Sequence, residues 1–377
     1  MRIGLVVTGG VDRSGRERVV PSLLWLVERL ASRHDVHVFA LHHYREPCTY
    51  PLLGATVHDV GRVDGPPGLR LLRLGRRLAA AVGATALDRR FDLLHAYWGM
   101  PAGVVATSVG RRLALPVVLT LDSGELVALD DIEYGLQRRW ADRRAIARAI
   151  RRAARLTVST AHMARQVPPG VEPVDIVPMG VDARAFPASR RAPGPPWRLL
   201  RVASLNRVKD YPMLLQALAA IVARTRDVHL DIVGEDTLDG SIQRLARTLG
   251  VDSHVTFHGF QPTDALAAFY ARAHVHVVSS RHEAAGVAVL EAACTGLPTV
   301  GTDVGYIADW KPHRAASVRA GDAPALADAV IALLEDAPRR ERLGAAARAW
   351  AMEHDAQWTA QQFERIYHEV VSVNGSA

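Results

Sequence analysis

The stretch VVSSRHEAAGVAVLEAACTGLPTVGTDVG, residues 277–305, joins a strand pattern to a helical one. An apolar run ends at Ser279 and Ser280, and Gly286 opens a helix that Gly296 and Pro298 close. The first amides of such a helix have no partner within it, and its dipole presents partial positive charge there. The stretch therefore predicts an anion site, and a diphosphate fits it.

Two glutamates in this stretch point to sugar chemistry. Glu283 lies in the predicted loop, and Glu291 lies eight residues later inside the predicted helix. On one continuous helix, eight residues turn about 80° beyond two turns, so the two side chains would not share a face. With Glu283 in the loop, both carboxylates can point to one ligand across the helix start. Carboxylates repel phosphate but accept hydrogen bonds from sugar hydroxyls.

Short apolar strands alternate with helical segments along most of the chain. Runs that are apolar on both faces predict an α/β protein with parallel sheets covered on both sides. The predicted strands are Ile3–Val7, Val36–Leu41, Leu93–Tyr97, Val117–Leu121, Leu156–Ser159, Asp175–Pro178, Leu199–Leu205, Val228–Val233, Val255–Phe257, Val275–Ser279 and Pro298–Gly301. Helical patterns cover Pro21–Ser32, Ala102–Leu113 and Arg348–Val371.

The segment Phe186–Trp197 interrupts this alternation. Four prolines, a glycine and two adjacent arginines predict a linker at residues 187–197. We therefore expect two Rossmann-like doubly wound domains, residues 1–187 and 188–355, with the C-terminal helix 356–377 packing back on the first. Parallel sheets bind ligands at the carboxyl ends of their strands, so two facing sheets predict a ligand in the cleft between them.

The composition describes a globular protein and argues against a nucleic acid partner. Of 377 residues, 49% are hydrophobic and 23% charged. The net charge is +7, yet Lys209 and Lys311 are the only lysines, which indicates coding bias toward arginine. Aromatic residues do not interleave with the arginines as a stacking platform for single strands requires.

The cysteines and the hydropathy pattern favour a cytoplasmic protein. Cys48 and Cys294 are far apart and imply no disulfide framework. We expect no signal peptide and no membrane span, because no uncharged apolar run approaches 18 residues.

Two stretches, Leu69–Arg77 and Arg138–Arg155, are denser in arginine. In the second, arginines interleave with alanine and isoleucine at helical spacing. A solvated helix face is the simpler interpretation. Peripheral contact with anionic lipid at the inner membrane face, or with a phosphorylated acceptor, is the alternative.

The segment Gly10–Glu17 nearly spells the phosphate loop G-x-x-x-x-G-K-[ST]. Arg16 stands where a lysine should reach the terminal phosphates, and Glu17 where a hydroxyl should bind magnesium, so the segment does not predict a Walker function. Its glycine spacing also differs from the G-x-G-x-x-G of nicotinamide oxidoreductases.

Residues 277–305 resemble the E-x7-E signature of the retaining GT-B glycosyltransferases, specifically family 4. Further segments resemble other motifs of that family in the same order, so the similarity covers nearly the whole chain. They are DLLHAYWG at 92–99, IVPMGVD at 176–182, LRVASLNRVKD at 200–210, LDIVGED at 230–236 and VTFHGF at 255–260.

The resemblance implies a GT-B fold and transfer of a hexose-type sugar from a nucleoside-diphosphate sugar to an acceptor hydroxyl, with retention. We expect no metal or cofactor, because no D-x-D motif is flanked by a predicted strand and Lys209 with a helix terminus can offset the charge of the leaving diphosphate. The first domain would hold the acceptor and the second the donor. Glu283 would contact hydroxyls of the transferred sugar, Glu291 the ribose diol, and Lys209 the diphosphate. The other implied donor-binding residues are Gly15 after the first strand, Gly259 and Phe260 along the base, and the backbone of Gly286, Val287 and Ala288.

Two positions depart from the family pattern. Ser204 stands where the family has an arginine, and Asn206 or Arg207 could replace the lost diphosphate contact. Asp122 stands where the family has a histidine near the reacting centre. An ionised aspartate cannot donate, so either the contacts there differ or Asp122 acts as a general base, which favours an inverting course.

Other activities stay open at this point. A nucleotide-sugar epimerase or a phosphorylase could share the two-domain plan, whereas a non-catalytic binding subunit would lack the carboxylate pair. The acceptor could be a sugar, a lipid-linked or a natural-product hydroxyl, since the loops at 44–53, 61–77 and 122–137 match no pattern that identifies it.

Overall fold

The computed structural model describes residues 1–171, 173–225 and 227–375 and divides into two compact units. The first unit comprises Met1–Met179 together with the C-terminal segment that begins at Ala356, and the second comprises Gly180–Asp355.

The first unit is built on an eight-stranded sheet. Its strands are β1 (Arg2–Val7), β2 (Asp35–Ala40), β3 (Cys48–Leu52), β4 (Ala55–Asp59), β5 (Leu93–Tyr97), β6 (Val117–Leu121), β7 (Arg155–Val158) and β8 (Val174–Ile176). Their spatial order is β3-β4-β2-β1-β5-β6-β7-β8. Every neighbouring pair is parallel except β3 and β4, which form an antiparallel edge.

Helices follow β1, β4, β5, β6 and β7 along the chain. They are α1 (Pro21–Ala31), α2 (Pro67–Thr85), α3 (Val104–Leu113), α4 (Trp140–Arg152) and the short α5 (Ala161–Ala164). The fully buried strands β1, β5 and β6 form the centre of the sheet, as expected for strands covered on both faces.

The second unit has a six-stranded, wholly parallel sheet in the order β11-β10-β9-β12-β13-β14. Its strands are β9 (Trp197–Val202), β10 (Val228–Val233), β11 (Val255–Phe257), β12 (Val275–Val278), β13 (Thr299–Thr302) and β14 (Ala315–Val318). Its helices are α6 (Tyr211–Arg224), α7 (Ser241–Thr248), α8 (Thr263–Arg272), α9 (Val287–Cys294), α10 (Gly305–Trp310), α11 (Ala323–Glu335) and α12 (Ala337–Glu353). This is the doubly wound order of Rossmann-like domains, so the predicted α/β class is confirmed.

The last helix, α13 (Ala356–Gly375), belongs to the first unit and packs against α1. Its Phe363 and Tyr367 side chains are fully buried. The Tyr367 hydroxyl lies 2.6 Å from Nδ1 of His95 on β5, and His95 Nε2 lies 2.7 Å from the Thr120 hydroxyl. Burial lowers the pKa of His95 to about 3, so this motif histidine is neutral and ties α13 to the sheet.

The proline-rich segment before β9 packs on the second unit, which corrects its interpretation as a linker. The second unit begins at Gly180, before that segment. Phe186 is fully buried, with its ring 5.7 Å from the ring of Tyr270. The Arg191 guanidinium donates hydrogen bonds to several backbone carbonyls of the second unit. Composition alone favoured solvation, whereas these contacts bury the segment's aromatic anchor and use its arginine as a donor.

Other differences from the sequence prediction lie at or next to sheet edges and at a helix boundary. The strands β3, β4 and β14 were not predicted. Of these, β3 contains Pro51 and β14 is the short run AASV. The helical pattern from Arg348 to Val371 is two helices, because α12 ends at Glu353 and α13 begins at Ala356.

Candidate active site

A cavity of about 250 Å³ opens at the carboxyl ends of β9 and β12 in the second unit. These strands flank the point where the strand order reverses, the usual ligand position in a parallel sheet. The lining residues are Arg201, Val202, Ala203, Ser204, Lys209, Val278, Glu283, Gly286, Val287, Ala288 and Val289. The structure thus brings together five of the predicted donor-binding residues: Lys209, Glu283, Gly286, Val287 and Ala288.

Glu283 is at the centre of the polar contacts in this cavity. Lys209 Nζ lies 2.7 and 2.8 Å from its two carboxylate oxygens, and the Ser280 hydroxyl donates to Oε1 at 2.6 Å. Arg201 Nη2 lies 3.9 Å from the same Oε1. Burial opposes ionisation of Glu283, but the charges of Lys209 and Arg201 outweigh it and hold the pKa of this carboxyl below its ordinary value. Glu283 is therefore an ionised acceptor at neutral pH.

The backbone of Lys209 is held between β9 and β12. The Asn206 side chain caps a 3₁₀ turn by accepting from the Lys209 amide at 3.3 Å, and the Ser279 hydroxyl donates to the Lys209 carbonyl at 2.7 Å. Asp210 then caps α6 by accepting from the Met213 amide. These contacts direct the Lys209 side chain across the strand ends to Glu283.

Gly286 begins α9 in a conformation that favours glycine. Its φ is +89°, in the left-handed region that other L residues rarely adopt. Gly305 packs closely against the same loop, because a Cβ at this position would lie only 2.3 Å from the Ala285 carbonyl oxygen. The two glycines let the Glu283 loop and the start of α9 approach the cavity closely.

Glu291 lies on α9 and is only 5% exposed. The Tyr270 hydroxyl donates to its Oε2 at 2.6 Å. Burial raises the pKa of Glu291 to about 7, even though the hydrogen bond from Tyr270 acts to lower it. Glu291 is outside the cavity lining, so its predicted contact with a ribose diol stays a prediction.

Gly259 and Phe260 follow β11 and are also outside the cavity lining. The Gly259 carbonyl accepts from the Gly234 amide at 2.9 Å, which links the ends of β11 and β10. Phe260 is 55% exposed, so its ring is available to a ligand. Both residues lie at the carboxyl edge of the same sheet, where the predicted base would lie.

Arg201, the cation that lines the cavity together with Ser204, was not predicted from the sequence. The Ser204 hydroxyl accepts from Asn206 Nδ2 at 2.9 Å, and Arg207 is exposed. Neither Asn206 nor Arg207 lines the cavity, whereas Arg201, at the start of the same motif, does. One signal was available: an arginine inside a strand that is apolar on both faces must find a buried partner.

In the first unit, Asp12 organises the glycine loop that follows β1. Its carboxylate accepts from the Ser14 amide at 2.9 Å and from the Tyr44 hydroxyl at 2.8 Å, and it pairs with Arg18. Burial favours the neutral form, but these hydrogen bonds outweigh it and hold the pKa of Asp12 well below its usual range. Gly15 has a φ of +63°, and its amide donates to the Asp12 carbonyl.

A cavity of about 500 Å³ lies at the carboxyl ends of β1, β5 and β6 in the first unit. It is lined by Thr8, Trp98, Met100, Ser123, Gly124, Glu125, Glu133, Tyr134, Gly135, Leu136, Arg138, Arg139 and Asp142. The predicted Asp122 directly precedes this lining, and its Oδ2 accepts from the Tyr97 hydroxyl at 3.1 Å.

Glu125 holds the floor of this first-unit cavity in place. Its side chain is almost fully buried and accepts from the Gly99 amide at 2.9 Å and the Ser123 amide at 2.7 Å. Burial raises the pKa of Glu125 although these amides oppose the shift. Glu125 thereby joins the loop after β5 to the loop after β6.

Within the described ranges, no group of three or more histidine, cysteine or acidic side chains is arranged to hold a metal ion. Among the helices of this described part of the chain, none is long and apolar enough to cross a membrane.

Comparisons with known proteins place the chain in a family. The model of the glycosyl transferases group 1 matches residues 182–350, and that of the glycosyl transferase 4-like domain matches residues 19–180. A D-inositol 3-phosphate glycosyltransferase of Segniliparus rotundus is 30% identical over 328 residues, which cover 80% of this chain and 72% of that protein. The chain belongs to the group 1 glycosyl transferases. It is therefore a glycosyltransferase, and the two matched regions meet where the structural units divide.

Solved structures agree with this family. Sucrose-phosphate synthase from Thermosynechococcus elongatus has a TM-score of 0.81 at 20% identity, covering 99% of this chain and 100% of that one. Anabaena HepE in complex with UDP-glucose has a TM-score of 0.72 at 17% identity, covering 98% of this chain and 100% of that one. At these identities the likeness concerns the fold, and the predicted GT-B fold of this glycosyltransferase is confirmed.

Proposed function

We propose that this glycosyltransferase moves a hexose-type sugar from a nucleoside-diphosphate sugar to an acceptor hydroxyl with retention of anomeric configuration. The observation that carries the proposal is the second-unit cavity, in which Lys209, Glu283 and the start of α9 converge. HepE, which shares the fold, has been solved with UDP-glucose bound.

The charges in the cavity suit a diphosphate leaving group. The ammonium of Lys209 and the first amides of α9 offset the negative charge that develops on the phosphate as the bond to the anomeric carbon breaks. Glu283 accepts hydrogen bonds from hydroxyls of the transferred sugar. These groups need neither a metal nor a cofactor, so we expect transfer to persist in the presence of EDTA.

Retention requires the acceptor to attack on the face that the diphosphate leaves. The acceptor oxygen bonds to the anomeric carbon, and a leaving phosphate oxygen takes the hydroxyl proton. An inverting course through Asp122 as general base is the alternative. Proton NMR of the purified glycoside distinguishes the two, because its anomeric configuration is fixed and an inverted anomer would exclude retention.

We infer that the first-unit cavity receives a hydroxylated ring as acceptor. The relative from Segniliparus rotundus is named for D-inositol 3-phosphate. The cavity offers the Trp98 ring for an apolar sugar face, Arg138 and Arg139 for a phosphate, and Glu133 and Asp142 for hydroxyls. Its volume of about 500 Å³ accommodates a phosphorylated monosaccharide or cyclitol.

The donor is tested by thermal shift against UDP-, GDP-, ADP- and dTDP-sugars, since a ligand that binds only the folded state raises Tm. The chain supplies a matched pair of variants in its two lysines. Lys209→Met should weaken donor binding about 10- to 100-fold, the size expected for a charged hydrogen bond. Lys311→Met should not, because Lys311 pairs with Asp303 at the surface. Equal effects of both variants would refute the assignment of Lys209.

Product analysis distinguishes this reaction from the epimerase and phosphorylase alternatives. Incubation with donor and a panel of acceptors should release the nucleoside diphosphate and form a glycoside. An isomerised donor sugar would indicate an epimerase. Consumption of inorganic phosphate with release of a sugar phosphate would indicate a phosphorylase.

The arginine-rich helix α4 supports peripheral contact with an acidic membrane surface or a lipid-linked acceptor. Arg143, Arg144, Arg148, Arg151 and Arg152 are exposed on this helix. Trp140 at its start is 64% exposed, and the Arg144 guanidinium lies 4.7 Å from its ring centroid. Salt-sensitive co-sedimentation with phosphatidylserine vesicles, absent with phosphatidylcholine, is the expected result. Equal sedimentation with both would contradict it.

A further inference from the structure

Arg201 is a buried cation beside the donor cavity that the proposed function has not used. It lies on β9, is 2% exposed and lines the cavity. Its Nη2 donates to the Ser280 hydroxyl at 2.7 Å, and that hydroxyl donates onward to Glu283. Within the described part of the chain, its Nε has no hydrogen-bond partner. Burying a guanidinium with an unused donor costs folding free energy, so we expect Arg201 to have a role that offsets this cost.

The proposed function places two demands on Lys209. In the structure both oxygens of Glu283 are taken by Lys209 Nζ. A bound diphosphate would share that ammonium, and Glu283 would lose part of its counter-charge while its oxygens turn to sugar hydroxyls. The remaining contacts of the carboxylate are then the Ser280 hydroxyl and the Arg201 guanidinium, 3.9 Å away.

A carboxylate elsewhere in the same unit shows what happens without a cation. Glu291 is buried on α9 and accepts a hydrogen bond from the Tyr270 hydroxyl. Burial raises its pKa to about 7, well above the ordinary value. Glu283, with Lys209 and Arg201 beside it, has a pKa below its ordinary value.

The other titratable groups near Glu283 do not replace this charge. His276 on β12 is fully buried, and burial lowers its pKa to about 3, so the imidazole is neutral. Burial raises the pKa of Tyr211 on α6 to about 12, so the phenol is neutral as well. Lys209 and Arg201 are thus the cations that act on Glu283 from β9 and the turn after it.

We propose that Arg201 is a positioning residue that, through Ser280, keeps Glu283 ionised and oriented while Lys209 binds the donor diphosphate. This inference rests on the proposed function. It also identifies the charge that stands in for the arginine missing at Ser204, contributed from within β9 and not from Asn206 or Arg207.

The test is the pH dependence of the Arg201→Met enzyme with a donor that the wild type uses. The apparent pKa of the acidic limb of kcat should increase by about one unit, since an opposite charge within 4–6 Å lowers a carboxyl pKa by about that much or more. The limb of kcat/KM, which reports the free enzyme, should rise less because Lys209 still pairs with Glu283 there. Arg201→Lys should restore most of the wild-type profile. Arg224→Met removes an exposed arginine that pairs with Asp328 and should leave both limbs unchanged.

The outcomes separate this inference from the proposed function. A wild-type enzyme that neither binds nor consumes any nucleotide sugar removes the proposed function. An active wild type together with a folded Arg201→Met enzyme whose acidic limbs do not move overturns the role of Arg201, even if its rate falls, because a purely structural residue changes amplitude and not the limb. The pH profiles are measured in a Glu291→Gln background, because Glu291, whose pKa burial raises to about 7, would set an acidic limb of its own above that of Glu283.

A second variant keeps the test decisive if Arg201→Met does not fold. Ser280→Ala removes the hydroxyl that joins Arg201 to Glu283 but leaves the guanidinium in place. Its acidic limb of kcat should move in the same direction by a smaller amount. An unchanged limb in this variant would contradict the proposed route through Ser280.

Discussion

Replacing Glu291 by glutamine should stabilise the second unit at alkaline pH while weakening donor binding. Glu291 is 5% exposed, and its burial raises its pKa from 4.5 to about 7. A group whose folded-state pKa is raised holds its proton more tightly in the folded state. Its ionisation therefore costs stability as pH rises from the unfolded pKa to the folded one. Glutamine has the same shape, can accept from the Tyr270 hydroxyl, and carries no charge.

The size of the effect follows from the pKa difference. A shift of about 2.5 units corresponds to roughly 3 kcal/mol of unfolding free energy at pH 8, where the folded carboxyl is ionised. At pH 5 the folded carboxyl is still protonated and the cost is less than about 1 kcal/mol. The difference between the two pH values, about 2–3 kcal/mol, belongs to ionisation alone, because any packing defect of the amide is the same at both.

Thermal denaturation of wild type and Glu291→Gln at pH 5 and pH 8 measures this difference. For a unit of 150–250 residues, 1 kcal/mol moves Tm by about 2–4 °C, so the advantage of the variant should grow by roughly 5–10 °C between pH 5 and pH 8. Glu335→Gln, at an exposed position on α11, is the control and should show no such growth. An advantage of Glu291→Gln that is equal at both pH values would refute the reasoning. Donor titration should meanwhile show affinity reduced about 10- to 100-fold if Glu291 binds the ribose.

Three further predictions follow from the sites. Lys209→Met should lower the unfolding free energy by about 1.5–3 kcal/mol, as expected for a charged hydrogen bond, because Arg201 remains as a counter-charge of Glu283. Adding Glu283→Gln should recover part of this loss in a denaturant-measured double-mutant cycle, and a coupling energy near zero would contradict the ion pair. Gly286→Ala should lower the unfolding free energy by about 1–2 kcal/mol, because the φ of Gly286 is +89°, and should also weaken donor binding. Gly250→Ala is the control, since Gly250 has a φ of +67° with open space around it, and should lower stability without changing donor affinity. Glu125→Ala should raise KM for the acceptor while KM for the donor stays unchanged, and a matching rise for both substrates would argue against a separate acceptor cavity.

Much of the fold could be predicted from the sequence because parallel sheets have a strong signature. Central strands such as Leu93–Tyr97 are apolar on both faces, and glycine or proline marks where the following helix begins or ends. The edge strand β3 and its antiparallel neighbour β4 lack that signature, since β3 carries Pro51 and both strands are partly exposed. Edge strands need fewer apolar residues because one side has no neighbour, so pattern alone does not distinguish them from loops.

The two errors of greater consequence come from the same physical source, which is long-range partnering of polar groups. The segment around Arg191 has a linker composition, but its guanidinium satisfies carbonyls that lie about 80–105 positions later in the chain. Arg201 is one basic residue in an apolar run, and its partner Ser280 lies 79 positions away. Local composition indicates that burying an arginine is unfavourable, but it does not reveal the distant acceptors that make the burial possible.

The sequence predicted a diphosphate contact for Lys209 and a sugar contact for Glu283, and in the structure the two side chains form an ion pair. The Lys209 ammonium is already paired with Glu283 before the donor binds. Binding of the diphosphate therefore weakens that ion pair while it forms a new one. The exchange costs little only if a second cation stays with the carboxylate. The cavity meets that condition with two cations for one carboxylate, because Arg201 lies behind Ser280. The single positive charge left over, together with the start of α9, faces the arriving diphosphate. A cavity with Lys209 alone would have to choose between neutralising the leaving group and keeping Glu283 ionised for the sugar.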